Sequence, residues 1–436
     1  MHLLVYTNQL TQRLTYTLDL VLKQLLSIDY QLTTDAAEVA AWDGNLLQYA
    51  DQRRRDDSVW IRPHSLLFRD DCDEVAIQLA DYHGLQVPFA VEGGDLPFDP
   101  LAASFFMVSR YEEVIPHITD RLGRFPAHAS LAYQLGCLSY PVVHQWAEIL
   151  AQCLAMQHPG FTYHLPEFAY QPTYDIDVAF AYRGRSWWHT SGTLVRDTLK
   201  GRHGLVRERY RVISGRQSDP YDTYEYLQRT LEMHQPEPVF FFLLGNKSEH
   251  DHNLSHRARS MQRLIRELSV WGRIGLHPSS LTSGNQARLN LERDRLEQIL
   301  GRKVDLSRQH FLMLTLPDTY VMLEHAGILH DFSMGYADQC GYRAGVNIPF
   351  MYFDLRRNTM GRVCVHPFAV MDGTLNHYLG YRPEEAIEEL DHLVGQARRW
   401  GGAFTTLWHN SSLSETQEWV GWREVHEHLL GKASSY

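Results

Sequence analysis

From about residue 170 onward, short apolar segments alternate with amphipathic ones, and this alternation most strongly constrains the fold. Helical patterns with one apolar face lie between segments that have the length of buried strands. Strands that alternate with helices predict a largely parallel sheet, either open or closed into a barrel, with its chemistry at the carboxyl ends of the strands. The seven predicted strands span residues 174–181, 238–244, 272–277, 311–316, 328–334, 364–371 and 403–409.

The first part of the chain has a different pattern and predicts a separate domain. It begins with a short strand and an amphipathic helix, passes through segments with Pro- and Gly-containing turns, and ends in helical patterns. Gln157-His-Pro-Gly160, followed by a Leu-Pro pair, indicates a boundary. We therefore expect a smaller N-terminal α/β (α+β) domain at residues 1–165 and a second domain at residues 166–436, with a basic and aromatic insertion at residues 184–217.

The composition argues against several classes of protein. A formal net charge of −11, with dispersed Lys and Arg, is unfavourable for binding nucleic acid. The five cysteines form no CxxC pair, so neither a disulfide framework nor a thiolate zinc site is indicated. No apolar run approaches the roughly 18 residues of a membrane span, and the N-terminus lacks the features of a signal peptide. We expect a cytoplasmic protein, and no pattern in the sequence indicates its oligomeric state.

Two carboxylates lie in the first predicted strand of the second domain. Asp175 and Asp177 are two residues apart in an otherwise apolar segment, so their side chains project on the same face. Two close carboxylates require compensation by a proton, a cation or a metal ion. The pair suits a metal-assisted hydrolase, and a strand end with two solvated acids is an equal alternative at this point.

Further polar residues fall at or beside the ends of later predicted strands. Each is weak evidence alone, because the chain contains 24 histidines. Their order along successive strands indicates that they meet at one edge of the sheet. These residues are His277, Arg308, His310, Asp338, Arg343 and His409.

The order of these motifs resembles the polysaccharide deacetylase family, carbohydrate esterase family 4, over the C-terminal two-thirds of the chain. The layout, including Ser109-Arg-Tyr-Glu-Glu113, is similar to a bacterial subgroup whose N-terminal domain has no known function. The resemblance rests on residues 173–177, His277, Arg308-Gln-His-Phe311, residues 331–345 and Leu407-Trp-His409. It implies a distorted (β/α)7 barrel in which Asp175 is the general base, Asp177 and His277 are metal ligands, Arg308 orients the base and His409 is the general acid.

This chain departs from the family pattern at a metal ligand. The second metal-binding histidine of the motif H-[ST]-x-x-H falls on Leu281, which cannot ligate. His310 stands where the motif R-x-P-Y has proline, and it is our candidate for the missing imidazole, as a third metal ligand from a different loop. Asp338 is a further candidate ligand. Zinc is the expected ion, because imidazole and carboxylate ligands suit it.

Three functions remain open from the sequence. The first is a metal-dependent hydrolase that removes acetyl groups from an N-acetylated or O-acetylated carbohydrate, with an Asp base and a His acid. The second is a catalytically degenerate deacetylase-like domain that binds a carbohydrate or a protein partner. The third is a metal-independent hydrolase or glycosidase that uses Asp175 or Asp177 with another carboxylate, which would need two carboxyl groups separated by about 5–10 Å across a sugar-sized cleft. The identity of the substrate is not readable.

Overall fold

The structure is a computed structural model that describes residues 2–184 and 202–434. It is a mixed α/β protein whose N-terminal part contains a four-stranded parallel sheet, in the order β2-β1-β3-β4, and an antiparallel pair, β5 and β6. These strands are β1 Leu3–Thr7, β2 Tyr30–Thr33, β3 Asn45–Tyr49, β4 Val59–Ile61, β5 Leu79–Tyr82 and β6 Leu85–Pro88.

A nine-stranded sheet forms the centre of the remaining chain. Its order is β12-β13-β11-β10-β9-β8-β7-β15-β14, and every pair is parallel except β12 with β13. The strands are β7 Phe168–Ile176, β8 Val239–Leu243, β9 Arg273–His277, β10 Leu306–Ser307, β11 His330–Asp331, β12 Phe350–Asp354, β13 Thr359–Val365, β14 Val370–Met371 and β15 Gly402–His409.

The helices cover the faces of these sheets. In the described ranges, two further segments are π-helical, Asp19–Leu25 and Thr374–Tyr378. The α-helices are α1 Gln12–Leu18, α2 Ala36–Ala41, α3 Pro100–Val108, α4 Leu131–Gln134, α5 Val142–Gln157, α6 His203–Ile213, α7 Tyr224–His234, α8 Arg259–Trp271, α9 Gln286–Leu300, α10 Asp318–His325, α11 Pro383–Trp400 and α12 Trp422–Ser434. Over the described ranges, none of them has both the length and the apolar character needed to cross a membrane.

The residues of β8 show that the large sheet is covered on both of its faces. All five of its residues, Val-Phe-Phe-Phe-Leu, are buried. Val239 and Phe241 pack on one face with Leu306 and Phe332, whereas Phe240 and Phe242 join the main core on the other face. A continuous apolar run is typical of a parallel strand covered on both sides.

Several of the predicted strands differ in the structure. The first, predicted at residues 174–181, lies earlier, at Phe168–Ile176, and the strand predicted at residues 328–334 is shortened to His330–Asp331. Residues 311–316 form no strand: β10 is only two residues long, and the chain then turns at Phe311 and Leu312, which both have left-handed φ angles near 55°. Residues 364–371 divide between the end of β13 and the short β14. The apolar content of these segments comes from buried loops, and composition alone does not distinguish such loops from strands.

The predicted insertion at residues 184–217 is described only in part. Helix α6 lies within it, with exposed and half-buried basic residues. The remaining stretch, residues 185–201, lies outside the described residues.

A buried ion network joins the N-terminal part to the nine-stranded sheet region. Glu113 accepts hydrogen bonds from Arg110 Nε at 2.8 Å and from Arg343 Nε at 2.8 Å, and all three side chains are buried. Burial raises the pKa of Glu113, but Arg343 and Arg110 outweigh it and lower that pKa to about 2. Arg343, which the sequence placed among the site residues, therefore belongs to this structural network.

Candidate active site

The residues of the candidate site meet at the carboxyl edge of the nine-stranded sheet. Asp175 lies near the end of β7 and Asp177 directly follows that strand, while His277 ends β9. His409 ends β15 and is paired in register with Asp175. His310 follows β10, the neighbour of β9. Parallel strands with a common edge thus collect residues that are far apart in sequence.

Three of these side chains form a group that can hold a metal ion. Their ligand atoms lie within 4.8 Å of one another. Asp177 Oδ1 is 3.1 Å from His277 Nε2, and Asp177 Oδ2 is 3.5 Å from His310 Nε2. Asp177 Oδ1 is buried and accepts no well-formed hydrogen bond from the described residues. A buried carboxylate oxygen without a donor needs a cation beside it.

The hydrogen bonds of both imidazoles leave Nε2 free to bind a metal. His277 Nδ1 lies 2.6 Å from the carbonyl oxygen of Arg308, which can only accept, so Nδ1 carries the hydrogen. His310 Nδ1 likewise donates to Asp251 Oδ1 at 2.9 Å. Metal-binding histidines characteristically donate their second ring N–H to a carbonyl or carboxylate group. The residues present therefore fit a divalent metal ion.

Asp251 couples the His310 loop to the loop after β9. It is buried, and its carboxylate accepts hydrogen bonds from Ser280 N at 3.1 Å and Ser280 Oγ at 2.6 Å, besides the one from His310. Burial raises the pKa of Asp251, but its hydrogen bonds from His310 and Ser248 hold it well below the usual range. The ionised carboxylate thus fixes the orientation of His310.

His310 also carries the charge that balances Asp177. Burial lowers the pKa of His310, but Asp177 and then Asp251 raise it, with the result that it reaches about 9. The same contact lowers the pKa of Asp177 well below its usual range, against the opposing effect of burial. In the absence of a metal ion, a protonated His310 therefore compensates Asp177, as the paired carboxylates require.

Asp175 is held by a buried arginine. Arg308 Nη1 donates to Asp175 Oδ1 at 3.0 Å and to Thr173 Oγ1 at 2.6 Å. Arg308 Nε donates to the carbonyl oxygen of Phe332 at 2.9 Å, and its guanidinium carbon lies 4.7 Å from the centroid of the Phe241 ring. Because Arg308 is fixed on several sides, Asp175 has a defined orientation 3.7 Å from His277 Nε2.

His409 forms a pair with a second buried acid. Asp372, directly after β14, accepts from His409 Nδ1 at 2.8 Å, from His409 N at 2.7 Å and from the Ser412 hydroxyl. Burial lowers the pKa of His409, but Asp372 outweighs it and raises the pKa to about 10. The other ring nitrogen, Nε2, lies 3.7 Å from Asp177 Oδ2. His409 is therefore a protonated imidazole that faces the metal-ligand group.

These groups open into a cavity of about 380 Å³. Besides the polar site residues, the described part of its wall contains four aromatic side chains and one arginine from the N-terminal part of the chain, Arg124. A neighbouring cavity of about 450 Å³ shares Arg124 and contains Asp338. The Asp338 side chain is therefore not one of the polar groups that converge on Asp177. The aromatic residues are Tyr221, Phe311, Tyr378 and Trp419.

The structure brings most of the predicted site residues together and adds others. Asp338 and Arg343 lie elsewhere, as described above. No sequence pattern indicated the two acids Asp251 and Asp372, because they lie in irregular segments among many other acids. Only their tertiary pairing with an imidazole distinguishes them. The predicted residues that meet at the site are Asp175, Asp177, His277, Arg308, His310 and His409.

Comparison with known proteins gives limited similarity. Residues 3–159 match the model of a family of unknown function, DUF7033. No curated protein matches the chain.

Among solved structures, a protein from Mycobacterium smegmatis described as a polysaccharide deacetylase has 15% identity and a TM-score of 0.37, over 60% of this chain and 84% of that one. A polysaccharide deacetylase from Bacillus cereus has 13% identity and a TM-score of 0.28, over 48% of this chain and 79% of that one. Puue allantoinase has 10% identity and a TM-score of 0.38, over 62% of this chain and 84% of that one. These TM-scores lie below 0.5 and support neither a shared activity nor a shared ligand.

Proposed function

We propose that this protein is a metal-dependent hydrolase that removes acetyl groups from an N-acetylated or O-acetylated carbohydrate. The observation that carries the proposal is the convergence of Asp177, His277 and His310, with Asp175 and His409 close beside them. We also propose that residues 1–165 and 166–436 are separate domains, and that the nine-stranded sheet is a distorted (β/α)7 barrel.

We assign the metal ligands to Asp177, His277 and His310. Zinc is our proposed ion, because one carboxylate and two imidazoles are a ligand set that zinc commonly takes with an open position. A divalent ion held there would supply Lewis-acid polarisation of a carbonyl group and would lower the pKa of water. In this assignment, His310 replaces the imidazole that Leu281 cannot provide.

Asp175 is our proposed general base. Arg308 Nη1 donates to Asp175 and fixes its orientation, and the same nitrogen is held by Thr173 Oγ1. The carboxylate lies beside the three proposed ligands and can accept the proton of an attacking water molecule. A positioned general base typically contributes about 10²–10⁴-fold to the rate.

His409 is our proposed general acid. Cleavage of an amide bond requires protonation of the departing amine, which is otherwise a poor leaving group. Asp372 holds Nδ1 and keeps the imidazole protonated, so Nε2 can deliver a proton toward the cavity. An acid and a base beside the same metal-ligand group are an arrangement that amide hydrolysis can use.

The size and the lining of the cavity suit a sugar derivative as the substrate. Its volume of about 380 Å³ and its aromatic side chains suit the apolar face of a sugar ring. Asp177, His277 and His409 line the same cavity, so a bound acetyl group would reach the proposed chemistry. A cytoplasmic location stays a prediction from composition.

One observation favours a second candidate function, a catalytically degenerate domain that binds a carbohydrate or a protein partner. Protonated His310 compensates Asp177 without a metal ion, so the site is electrostatically balanced when it is empty of metal. Such a domain would use the cavity for binding alone.

Acetate release separates the two functions. Purified protein is incubated with N-acetylated and O-acetylated saccharides, with and without a chelator, and zinc is then restored. The proposal predicts release that falls at least about 100-fold on chelation, returns with zinc, and falls about 10²–10⁴-fold in D175N. Absence of release from every saccharide, in protein shown to contain zinc, would favour the binding domain.

A further inference from the structure

A second group of metal-ligating side chains lies apart from the candidate active site. His330 of β11 and Cys364 of β13 are paired in parallel register, so their side chains project on the same face of the sheet. His366 is two residues beyond Cys364 and shares that face. One ligand atom from each residue lies within 4.8 Å of the other two.

The two imidazoles are hydrogen-bonded to each other, so one ring nitrogen of each faces the other ring. His330 Nδ1 and His366 Nε2 are 3.0 Å apart. The ring of His366 is stacked on Phe332, with centroids 4.2 Å apart and an angle of 6° between the ring planes, so its orientation is fixed. All three ligand residues are only partly buried, which leaves a path for an ion to enter.

Two charged residues lie close enough to affect these imidazoles, Arg273 and Asp305. Burial lowers the pKa of His330, and it lowers the pKa of His366 to about 3. A cation would take the place of the hydrogen between the two ring nitrogens, which the donor ring can carry on its other nitrogen. Arg273 acts in the same direction on both, whereas Asp305 opposes it at His330. Burial raises the pKa of Cys364, and metal binding would release its thiol proton to solvent.

We propose that His330, Cys364 and His366 form a second metal site, which takes a thiophilic divalent cation of the Zn²⁺ class. One thiolate and two imidazoles are ligands for such an ion, and water can complete a tetrahedral set. The sulfur ligand distinguishes this site from the one at Asp177. The proposal does not depend on the proposed function.

The site would strengthen a weak part of the sheet beneath the catalytic cavity. Strand β11 is only two residues long, and an ion bound to His330 on β11 and Cys364 on β13 would cross-link the two strands. The next residue after β11, Phe332, accepts a hydrogen bond from Arg308 through its carbonyl oxygen. The Phe332 ring also lies 6.0 Å from the guanidinium carbon of Arg308. A metal ion here would therefore stabilise the support of Arg308.

Cobalt titration tests the second site directly, because thiolate-to-cobalt charge transfer absorbs in the near ultraviolet and the Asp177 site contains no sulfur. The full-length protein is titrated with Co²⁺ under reducing conditions. We expect this absorption in the wild type and in D177N, which lacks the first site. We expect it to be lost in C364S and retained in C72S, the matched control at another partly buried cysteine. Absence of the band in the wild type, or its persistence in C364S, would overturn the proposal.

Alkylation of the unaltered protein covers the case in which C364S does not fold. The rate at which iodoacetamide modifies each cysteine is measured by mass spectrometry, with and without Zn²⁺. Protection of Cys364, with Cys72 unprotected, is the expected result. Equal rates at Cys364 with and without Zn²⁺ would contradict the second site, whether or not the protein releases acetate.

Discussion

Asp175 and Asp177 have the same chemistry but different neighbours, and these neighbours divide their roles. Asp177 faces the Nε2 atoms of His277 and His310, and its buried oxygen Oδ1 has no hydrogen-bond donor among the described residues. Asp175 is paired with Arg308, whose positive charge compensates the carboxylate without a metal ion. We therefore assign metal binding to Asp177 and proton transfer to Asp175.

The two asparagine variants should separate metal affinity from turnover. In D177N the metal site loses its only carboxylate, so zinc affinity should fall by about 100-fold or more. In D175N zinc affinity should stay within a few-fold of the wild type, while acetate release falls about 10²–10⁴-fold. Zinc affinity is measured by competition with a chromophoric chelator. Equal losses of zinc affinity in the two variants would contradict the division of roles.

The turn that carries His310 connects the site to the N-terminal part of the chain. Phe311 and Leu312 both have left-handed φ angles, a conformation that costs about 1–3 kcal/mol for each such residue. Arg124 Nη1 donates to the carbonyl oxygen of Phe311 at 2.9 Å. Asp120 in turn accepts from Arg124 Nε at 2.7 Å and fixes its orientation. This contact holds the strained turn directly beside a proposed metal ligand.

Removal of Arg124 should weaken metal binding, although Arg124 is not a proposed metal ligand. In R124A the turn loses its donor, His310 becomes less well placed, and zinc affinity should fall about 10-fold. R124K should restore part of this affinity, because an ammonium group can still donate to the carbonyl oxygen. R121A, at an exposed residue of the same loop, is the control. If R124A binds zinc as tightly as R121A does, the turn does not depend on Arg124.

The strands that the sequence predicted well are those with long apolar runs. Strands β8, β9 and β15 were predicted within a few residues, because their composition and length leave little alternative. The two-residue strand β10 was misplaced and β11 was predicted too long, since their pairing comes from neighbouring strands and not from their own composition. The role of His310 could be proposed from sequence, but its partner Asp251 could not.

At the scale of the whole molecule, the two parts of the chain are joined through buried charges. Glu113 is surrounded by Arg110 and Arg343, and loss of the carboxylate would leave both guanidinium groups without full compensation. Breaking a buried ion pair on one side typically costs about 3–5 kcal/mol. The position of Arg124 in the cavity wall depends on the packing between the two parts.

The stability that Glu113 provides should depend on pH. Its pKa is lowered from 4.5 to about 2 in the folded protein, so the contribution is complete above the unfolded value and is lost as pH falls from about 4.5 to about 2. E113Q should therefore lower the free energy of unfolding by about 3–5 kcal/mol at pH 7 and by less at pH 3. Urea unfolding at the two pH values measures this difference.

The control for this prediction is an exposed ion pair. Arg356 and Asp318 are both about half exposed, so D318N should change the free energy of unfolding by less than about 1 kcal/mol at either pH. A penalty in E113Q that is the same at pH 7 and pH 3 would show that Glu113 does not act through its charge.

The central claim is that His310 supplies the ligand that is missing at Leu281. Anomalous diffraction from zinc-soaked crystals of the wild type tests it most directly. We predict a zinc peak bound by the Asp177 carboxylate, His277 Nε2 and His310 Nε2, each at about 2.0–2.2 Å. A zinc peak at Asp177 and His277 that does not contact His310, or no peak there at saturating zinc, would contradict the claim.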